Sequence, residues 1–447
     1  LLNKLFTKKA LLWALWLANI AIIVGFWASY SGALWVEEEL PAAVALGRLF
    51  GLLATFAALT QFIIMGRQGW LEPVFGMDHI ARFHRLNGYA TYILVLSHVA
   101  LLIIGYSQLT GNTLIEQFIQ FELRFPYVLL ATIAALLLTC VVVASVYIVR
   151  RHLKFESWYF VHLLVYLAIA LVPLHQLTNG GDLLANDLFA LYWIGLYIFT
   201  AVAFLYWRWL RVFYRFWKFN FTVETVVAEA PRATSVYIGG RNMQQFRARG
   251  GQFVLVRFLT KDMWWQEHPF SLSQLPNGKQ LRLTIRQLGD FTNQIPNLKP
   301  GTKVMVSGPH GAFTNQSATA NKAVYIAGGV GITPIRSMLQ ELASDQQKHD
   351  AILLYANRTR DEIIFFKELE ALSKQLAMPL HHVLSDDASY GEHGFIDKEK
   401  LSRLVPDIAA RDVFLCGPPP MMAAVIAALR ELGVPSKNIH YERFSLH

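Results

Sequence analysis

"RFHRLNGYATYILVLSH" (Arg82–His98) and "VHLLVYLAIALVPLH" (Val161–His175) are apolar runs with a histidine near each end: His84 and His98 in the first, His162 and His175 in the second. Imidazole is costly inside a membrane and faces the interior of a helix bundle. A lone histidine would read as a hydrogen bond between packed helices. Two pairs, separated by fourteen and thirteen residues, match in depth, because on a helix they rise about 21 Å and about 20 Å. The angular fit is less even. At about 100° per residue, fourteen residues return to within about 40° of the starting face, whereas thirteen leave about 140°. The second run is therefore expected to bend, bulge or end before His175, with Pro173 as the cause.

The surrounding sequence supplies the rest of a bundle. Apolar runs at roughly Leu11–Tyr30, Ala43–Met65, Leu86–Tyr106, Tyr127–Val149, Trp158–Leu174 and Leu188–Trp207 approach the ~20 residues that cross a hydrocarbon core. The first has no small-residue cleavage site and reads as a span rather than a signal peptide. Lys4, Lys8 and Lys9, then Arg67, Arg82 and Arg85, then Arg150, Arg151 and Lys154, then Arg208, Arg211, Arg215 and Lys218 fall in alternate connections, while "VEEEL" falls on the other side. This positive-inside pattern predicts an integral membrane protein of six spans with both ends cytoplasmic. The net charge of +9 is largely this topology signal and calls for no nucleic acid. His84 and His162 then lie toward the cytoplasmic side, and His98 and His175 toward the outer side. Facing imidazoles hold one haem iron axially, so the set predicts two haems. His79 and His152 read as interfacial.

Beyond Lys218 the chain of 447 residues changes character. "FTVETVVAEA", "TSVYIGG", "GQFVLVRF", "LRLTIRQL" and "TKVMVSG" read as short strands of an antiparallel β-barrel. "KAVYIAGGVGITPIRSMLQEL" and the segments after it alternate strand and helix, as in a parallel α/β sheet. The expected domains are 1–217 (membrane), 218–317 (barrel) and 318–447 (α/β). Gly328, Gly329 and Gly331 follow a buried strand and precede a helix opening near Thr333 and Pro334, a turn that lets backbone and helix N-terminus meet a pyrophosphate. Cys140 and Cys416, the two cysteines, predict no disulfide framework, and no acidic calcium loop is present.

"HPFSLS", "IRQLGDFT", "GPHGAF", "AGGVGITP" and "CGPPPMM" occur in the order seen in the ferredoxin-NADP reductase superfamily. Joined to histidine pairs spaced fourteen and thirteen, they resemble the NADPH oxidase/ferric reductase family, in which a haem-bearing membrane domain is fused to a dehydrogenase. The resemblance implies FAD held by His268, Pro269, Phe270 and Ser271, by Arg286 with Gly289, Asp290 and Thr292, and by Gly308 and Pro309. It implies a dinucleotide pyrophosphate on Gly328, Gly329, Gly331, Thr333 and Pro334, with Cys416, Gly417 and Pro418 near the nicotinamide. Cys416 also reads as a buried core thiol. Arg358 and Arg360 suit a 2′-phosphate, favouring NADPH over NADH, and equally suit a solvated surface. Phe444 is the aromatic expected to cover the flavin. His310 replaces the tyrosine of the commoner "GPYG" form. Arg48 is expected at the outer haem, or as a snorkelling interface arginine. Leu102 stands where many eukaryotic oxidases carry another histidine.

The implied activity is electron transfer across a plasma membrane, specifically a bacterial inner membrane, from cytoplasmic NADPH, through FAD and two haems of b type, to an external acceptor. O2 giving superoxide comes first and ferric chelate second. A haem subunit serving a separate periplasmic reductase is a third reading, disfavoured by the dehydrogenase half. No obligate protein partner is implied.

Overall fold

The computed structural model describes residues 2–66, 68–150, 152–153, 155–345 and 349–442. The chain divides into two compact units, Leu1–Trp209 and Leu210–His447. Among the described residues, six helices are long and apolar enough to cross a membrane: Thr7–Val36, Ala42–Met65, His79–Thr110, Val128–Ser145, Ser157–Asn179 and Asp187–Phe219. They are called spans one to six below.

Span two packs along span three, and span four along span five. Lipid tails are as apolar as leucine, so close helix packing comes from small residues and interhelical hydrogen bonds. Spans two and three show both. A Cβ added at Gly105 would stand 2.5 Å from Val44 Cγ2 and 2.8 Å from the Val44 nitrogen, and one at Gly47 would stand 3.0 Å from Leu102 Cδ2. Leu102 is thus a packing residue against span two. One of the outcomes expected for span five, an end before His175, does not occur: its helix runs through Pro173 from Phe155 to Asn179. Neighbouring helices and side chains let a membrane helix keep a proline that a water-exposed helix would not.

The second unit opens with helix Arg211–Phe219, which continues span six and packs on the barrel. The boundary expected after residue 217 falls inside this helix. Phe219 is buried in the barrel core, and the Arg215 guanidinium lies 5.3 Å from the Phe219 ring and 5.1 Å from that of Phe246.

The barrel strands are β1 (Thr222–Ala230), β2 (Ala233–Gly239), β3 (Phe253–Phe258), β4 (His268–Ser271), β5 (Gln280–Arg286) and β6 (Val304–His310). They form antiparallel sheets β1-β2-β5 and β4-β3-β6. Bridges Thr222–Lys303 and Leu272–Leu283 join the two sheets at both sides. Closure hides the sheet edges around Phe221, Val236, Val254, Leu281 and Val306.

Strands β7 (Lys322–Gly328), β8 (Asp350–Asn357), β9 (Leu380–Leu384), β10 (Glu392–His393), β11 (Asp412–Cys416) and β12 (Ile439–Glu442) form a parallel sheet in the order β10-β9-β8-β7-β11-β12. Separate apolar clusters cover its two faces, which is why β7, β8 and β11 read as nearly continuous apolar runs. Order reverses between β7 and β11, and such a switch point opens a crevice at the carboxyl ends of the strands.

Arg282 of β5 ties the barrel to the α/β sheet. It donates to Glu229 at 2.7 Å and to both Glu368 oxygens at 2.9 and 3.0 Å, while Arg336 also bonds Glu368.

Gly105→Ala should lower the melting temperature of the detergent-solubilised protein, since a methyl forced against backbone costs about 1–3 kcal/mol. Gly25→Ala, where nothing lies within 4 Å of the added carbon, should be neutral or slightly stabilising. Equal effects would refute a close glycine contact between spans two and three.

Candidate functional site

The two imidazole pairs are built by hydrogen bonds that the apolar runs conceal. Along span three, Gln61 Nε2 donates to the His84 carbonyl, Asn87 Nδ2 donates to the Ala57 carbonyl, and His98 Nδ1 meets the Gly47 carbonyl, each at 2.8 Å. A carbonyl only accepts, so Nδ1 of His98 carries the proton and Nε2 keeps a lone pair for a metal. The His98 ring fits because position 51 is glycine; a Cβ there would stand 2.6 Å from Nδ1.

His84 and His162 face each other with ring centres 6.2 Å apart. An imidazole nitrogen bonds a metal ion at about 2 Å, which sets the centres of two trans imidazoles on one ion about 6 Å apart. This pair therefore suits shared axial ligation. Trp158 stacks on His162 at 5.0 Å and donates to Ser145 Oγ, which lies 3.4 Å from His162 Nδ1. His175 lies within electrostatic reach of His98. The buried Nδ1 atoms of His84 and His175 have no hydrogen-bond partner among the described residues.

Sequence reasoning missed Gln176. Its Nε2 donates to Thr55 Oγ1 at 2.6 Å, and its Oε1 accepts from Trp193 Nε1 and Tyr197 OH at 3.0 Å. It thereby joins spans two, five and six beside His175. Its position after the outer histidine was the available signal. Arg48 sits in a polar network rather than at a lipid-facing edge. It donates to Ser31 Oγ at 3.1 Å and Tyr106 OH at 3.2 Å, and Ser31 in turn donates to the buried Asp182.

In the second unit the crevice between β7 and β11 is made of touching backbone. A Cβ at Gly331 would lie 2.2 Å from the Cys416 carbonyl oxygen; one at Gly328 would lie 2.8 Å from Pro418 Cδ; one at Gly417 would lie 3.2 Å from Gly328 Cα. Gly329 has φ +53°, and its carbonyl accepts from Tyr355 OH at 3.1 Å. Thr333 Oγ1 turns back to the Val330 carbonyl, and Pro334 is buried at the helix start. Cys416 is fully buried. Burial, with Glu442 nearby, pushes its thiol well up, so the sulfur stays protonated.

Of the flavin motifs on the barrel, Arg286 is the residue that reaches this crevice. His268 and Phe270 on β4 pack with Phe291, the His268 ring centre only 3.9 Å from that of Phe291. Burial lowers the His268 pKa, which favours neutral imidazole. Pro269 is exposed and Ser271 buried. Thr292 Oγ1 accepts from the backbone nitrogens of Leu288 and Gly289 at 2.8 and 3.0 Å, and Asp290 is exposed beside it. Gly308 has φ +128° at the end of β6. His310 is buried 5.6 Å from the Phe253 ring, with Pro309 before it. Arg286 reaches out of β5 toward the glycine turn; a Cβ at Gly329 would stand 3.1 Å from its Nη1, and Glu362 lies 3.9 Å from its Nη2.

Arg358 is exposed and bonds Asp386 at 2.9 Å. Arg360 lies over the Tyr390 ring at 4.7 Å. Phe444 lies outside the described residues.

Comparison with known proteins follows this division. Residues 50–172 match the family described as ferric reductase like transmembrane component, residues 221–314 an FAD-binding domain, and residues 325–426 an oxidoreductase NAD-binding domain. A ferric reductase-like membrane domain fused to FAD- and NAD-binding domains is the architecture of the NADPH oxidase/ferric reductase family, and this chain has it.

Among curated proteins, the chain is 31% identical over 208 residues to a glycine betaine monooxygenase reductase subunit of Pseudomonas aeruginosa, covering 44% of this chain and 57% of that one. It is 28% identical over 246 residues to a flavohemoprotein of Bacillus anthracis, covering 50% and 60%. The chain thus spans little more than half the length of these relatives. Among solved structures, the FAD/NAD-binding domain of a Vibrio cholerae nitric oxide dioxygenase aligns at 25% identity and TM-score 0.44, over 50% of this chain and 96% of that chain. Flavohemoglobin from Malassezia yamatoensis aligns at 19% and 0.49, over 91% and 100%.

Gly331→Ala should weaken dinucleotide binding and destabilise the second unit by about 1–3 kcal/mol, because the new methyl meets backbone that cannot rotate away. Chemical denaturation and nucleotide titration check both effects. Unchanged values would mean that the two turns are not in contact.

Proposed function

We propose that the chain is a transmembrane electron-transfer enzyme, oxidising a nicotinamide dinucleotide on the cytoplasmic face and delivering electrons to an acceptor on the other side of a bacterial inner membrane. The observation that carries this reading is the 6.2 Å separation of His84 and His162, on a chain that also has FAD- and NAD-binding domains. When bound, FAD accepts two electrons as a hydride and haem iron passes electrons singly.

The protein's own groups do the rest. Gly328, Gly329 and Gly331 leave room for a pyrophosphate on backbone nitrogens, and Thr333 and Pro334 open the helix behind it. Arg286 offers a guanidinium to a phosphate at the same crevice, with Gly289, Asp290 and Thr292 shaping the adjoining turn and His268–Ser271 lining the flavin side. Cys416, with Gly417 and Pro418 after it, keeps a neutral sulfur near the nicotinamide, where a thiolate would add unwanted charge. His84 and His162 would hold the inner haem and His98 and His175 the outer one.

Arg48 supports O2, giving superoxide, as the acceptor. Its guanidinium, fixed by Ser31 and Tyr106 at the outer end of span two, favours negative charge developing on a small acceptor. His98 and His175 would both be taken up in holding the outer haem, and Arg48 would be the protein group that meets O2. A ferric chelate remains the second reading, because neither acceptor requires a protein motif.

The test is anaerobic reduction of the purified protein by a reduced nicotinamide dinucleotide, followed by admission of O2 or ferric chelate. Spectra should show two low-spin six-coordinate haems reduced after the flavin. His98→Ala should lose mainly the outer haem and external acceptor reduction while keeping flavin reduction; full haem content in that variant would refute the ligand assignment. Arg48→Ala should slow superoxide formation more than ferric-chelate reduction with haem content preserved. Equal slowing of both would assign Arg48 to haem positioning instead.

A further inference from the structure

The dinucleotide crevice has an unequal charge distribution at one end. Its pyrophosphate turn follows β7, and the Cys416 turn follows β11 on one side. On the other side lie the carboxyl ends of β8 and β9. In a doubly wound sheet the strand beside the phosphate turn meets the adenosine ribose. A carboxylate there bonds the 2′-hydroxyl of NAD, whereas an arginine accommodates the 2′-phosphate of NADP. Both residue types are present. Arg358 and Arg360 follow β8, with Asp361 and Glu362; Asp386 and Asp387 follow β9.

The decisive feature is that Arg358 is already committed. Its Nε donates to Asp386 Oδ2 at 2.9 Å. The other Asp386 oxygen accepts from Ser385 Oγ at 2.7 Å. Two backbone hydrogen bonds, Ser385 nitrogen to the Asn357 carbonyl at 3.1 Å and Asp386 nitrogen to the Arg358 carbonyl at 2.9 Å, hold the two strand ends together. The pairing is therefore set by the sheet rather than by chance meeting of long side chains. Arg360 is turned toward aromatic rings, 4.7 Å from Tyr390 and 5.7 Å from Phe366, and its backbone nitrogen faces Asp387 Oδ2 at 3.4 Å. Hydrogen bonds from Ser385 and Arg358 hold the Asp386 carboxyl below its usual range, and those from Ser389 do the same for Asp387. Both are anionic at neutral pH. The edge thus presents Arg358 and Arg360 against Asp361, Asp386 and Asp387, while Glu362 lies 3.9 Å from Arg286.

We propose that this chain selects NADH over NADPH, with Asp386 as the discriminating residue. The carboxylate repels a 2′-phosphate, draws the Nε donor of the arginine that would otherwise meet it, and offers an acceptor to a 2′-hydroxyl. This rests on the dinucleotide-oxidising reading above and replaces the NADPH preference that Arg358 suggested from sequence alone.

Calorimetric titration of the full-length holoprotein in detergent with NAD+ and NADP+ reads the selectivity. Flavin bleaching by NADH and NADPH reads the reaction separately. NAD+ should bind at least about tenfold more tightly than NADP+, the scale on which like-charge contact rejects a ligand. Asp386→Asn should tighten NADP+ binding by about tenfold, Asp386→Glu should restore the NAD+ preference, and added salt should narrow the wild-type ratio. In the Asp386→Asn protein the released Arg358 supplies the new phosphate contact, so adding Arg358→Ala should remove the gain. NADP+ binding as tightly as NAD+ in the wild type, or a ratio unmoved by Asp386→Asn, would overturn the proposal. NAD+ preference without flavin reduction by either nucleotide would leave the selectivity standing and remove the electron-transfer reading.

Discussion

The contact of spans two and three is the constraint on which the membrane unit depends. Without a hydrophobic drive between helices in lipid, their association needs close backbones and satisfied polar groups. Gly47, Gly51 and Gly105 supply the approach; Gln61, Asn87 and His98 supply the hydrogen bonds. The last of these does two jobs. It stitches the helices together, and by donating from Nδ1 it leaves the other nitrogen of His98 able to bind a metal. A polar group that would be a liability in an apolar helix becomes a fastening between two helices.

The second unit uses the same economy of space. Gly328, Gly331 and Gly417 bring two turns so close that no side chain fits between them, and the backbone nitrogens left facing the crevice suit a pyrophosphate. Arg286 comes to this crevice from the barrel. The Arg282–Glu229–Glu368–Arg336 cluster holds barrel and α/β sheet together nearby. Buried charges of this kind are costly to separate. Their position fixes how the flavin-side motifs of β4 and β5 meet the nucleotide turn.

At the far end of the crevice, charge rather than shape carries the discrimination. Arg358 in "YANRTR" looks like a phosphate ligand when read along the chain. Across the sheet it is the partner of Asp386, 28 residues later. Two strands that pair side by side bring their following residues together, and an arginine that has found a carboxylate is no longer a free cation.

The sequence alone determined the division into a six-span membrane half and a dehydrogenase half, because hydropathy and glycine turns are local and their physical consequences are nearly obligatory. Regular helix rise made the depth matching of the histidines an expectation, and ordered motifs made the crevice residues candidates. The sequence left open whether span five bends, bulges or ends before His175; the helix continues through Pro173, which depends on neighbours that a single run cannot show. The tautomer of His98, the pinning role of Gln176, the Arg48–Ser31–Asp182 network and the Arg358–Asp386 pair were decided only by tertiary structure. Each depends on which polar atom another element brings within about 3 Å, and hydrogen-bond partners distant in sequence leave no periodic trace in it.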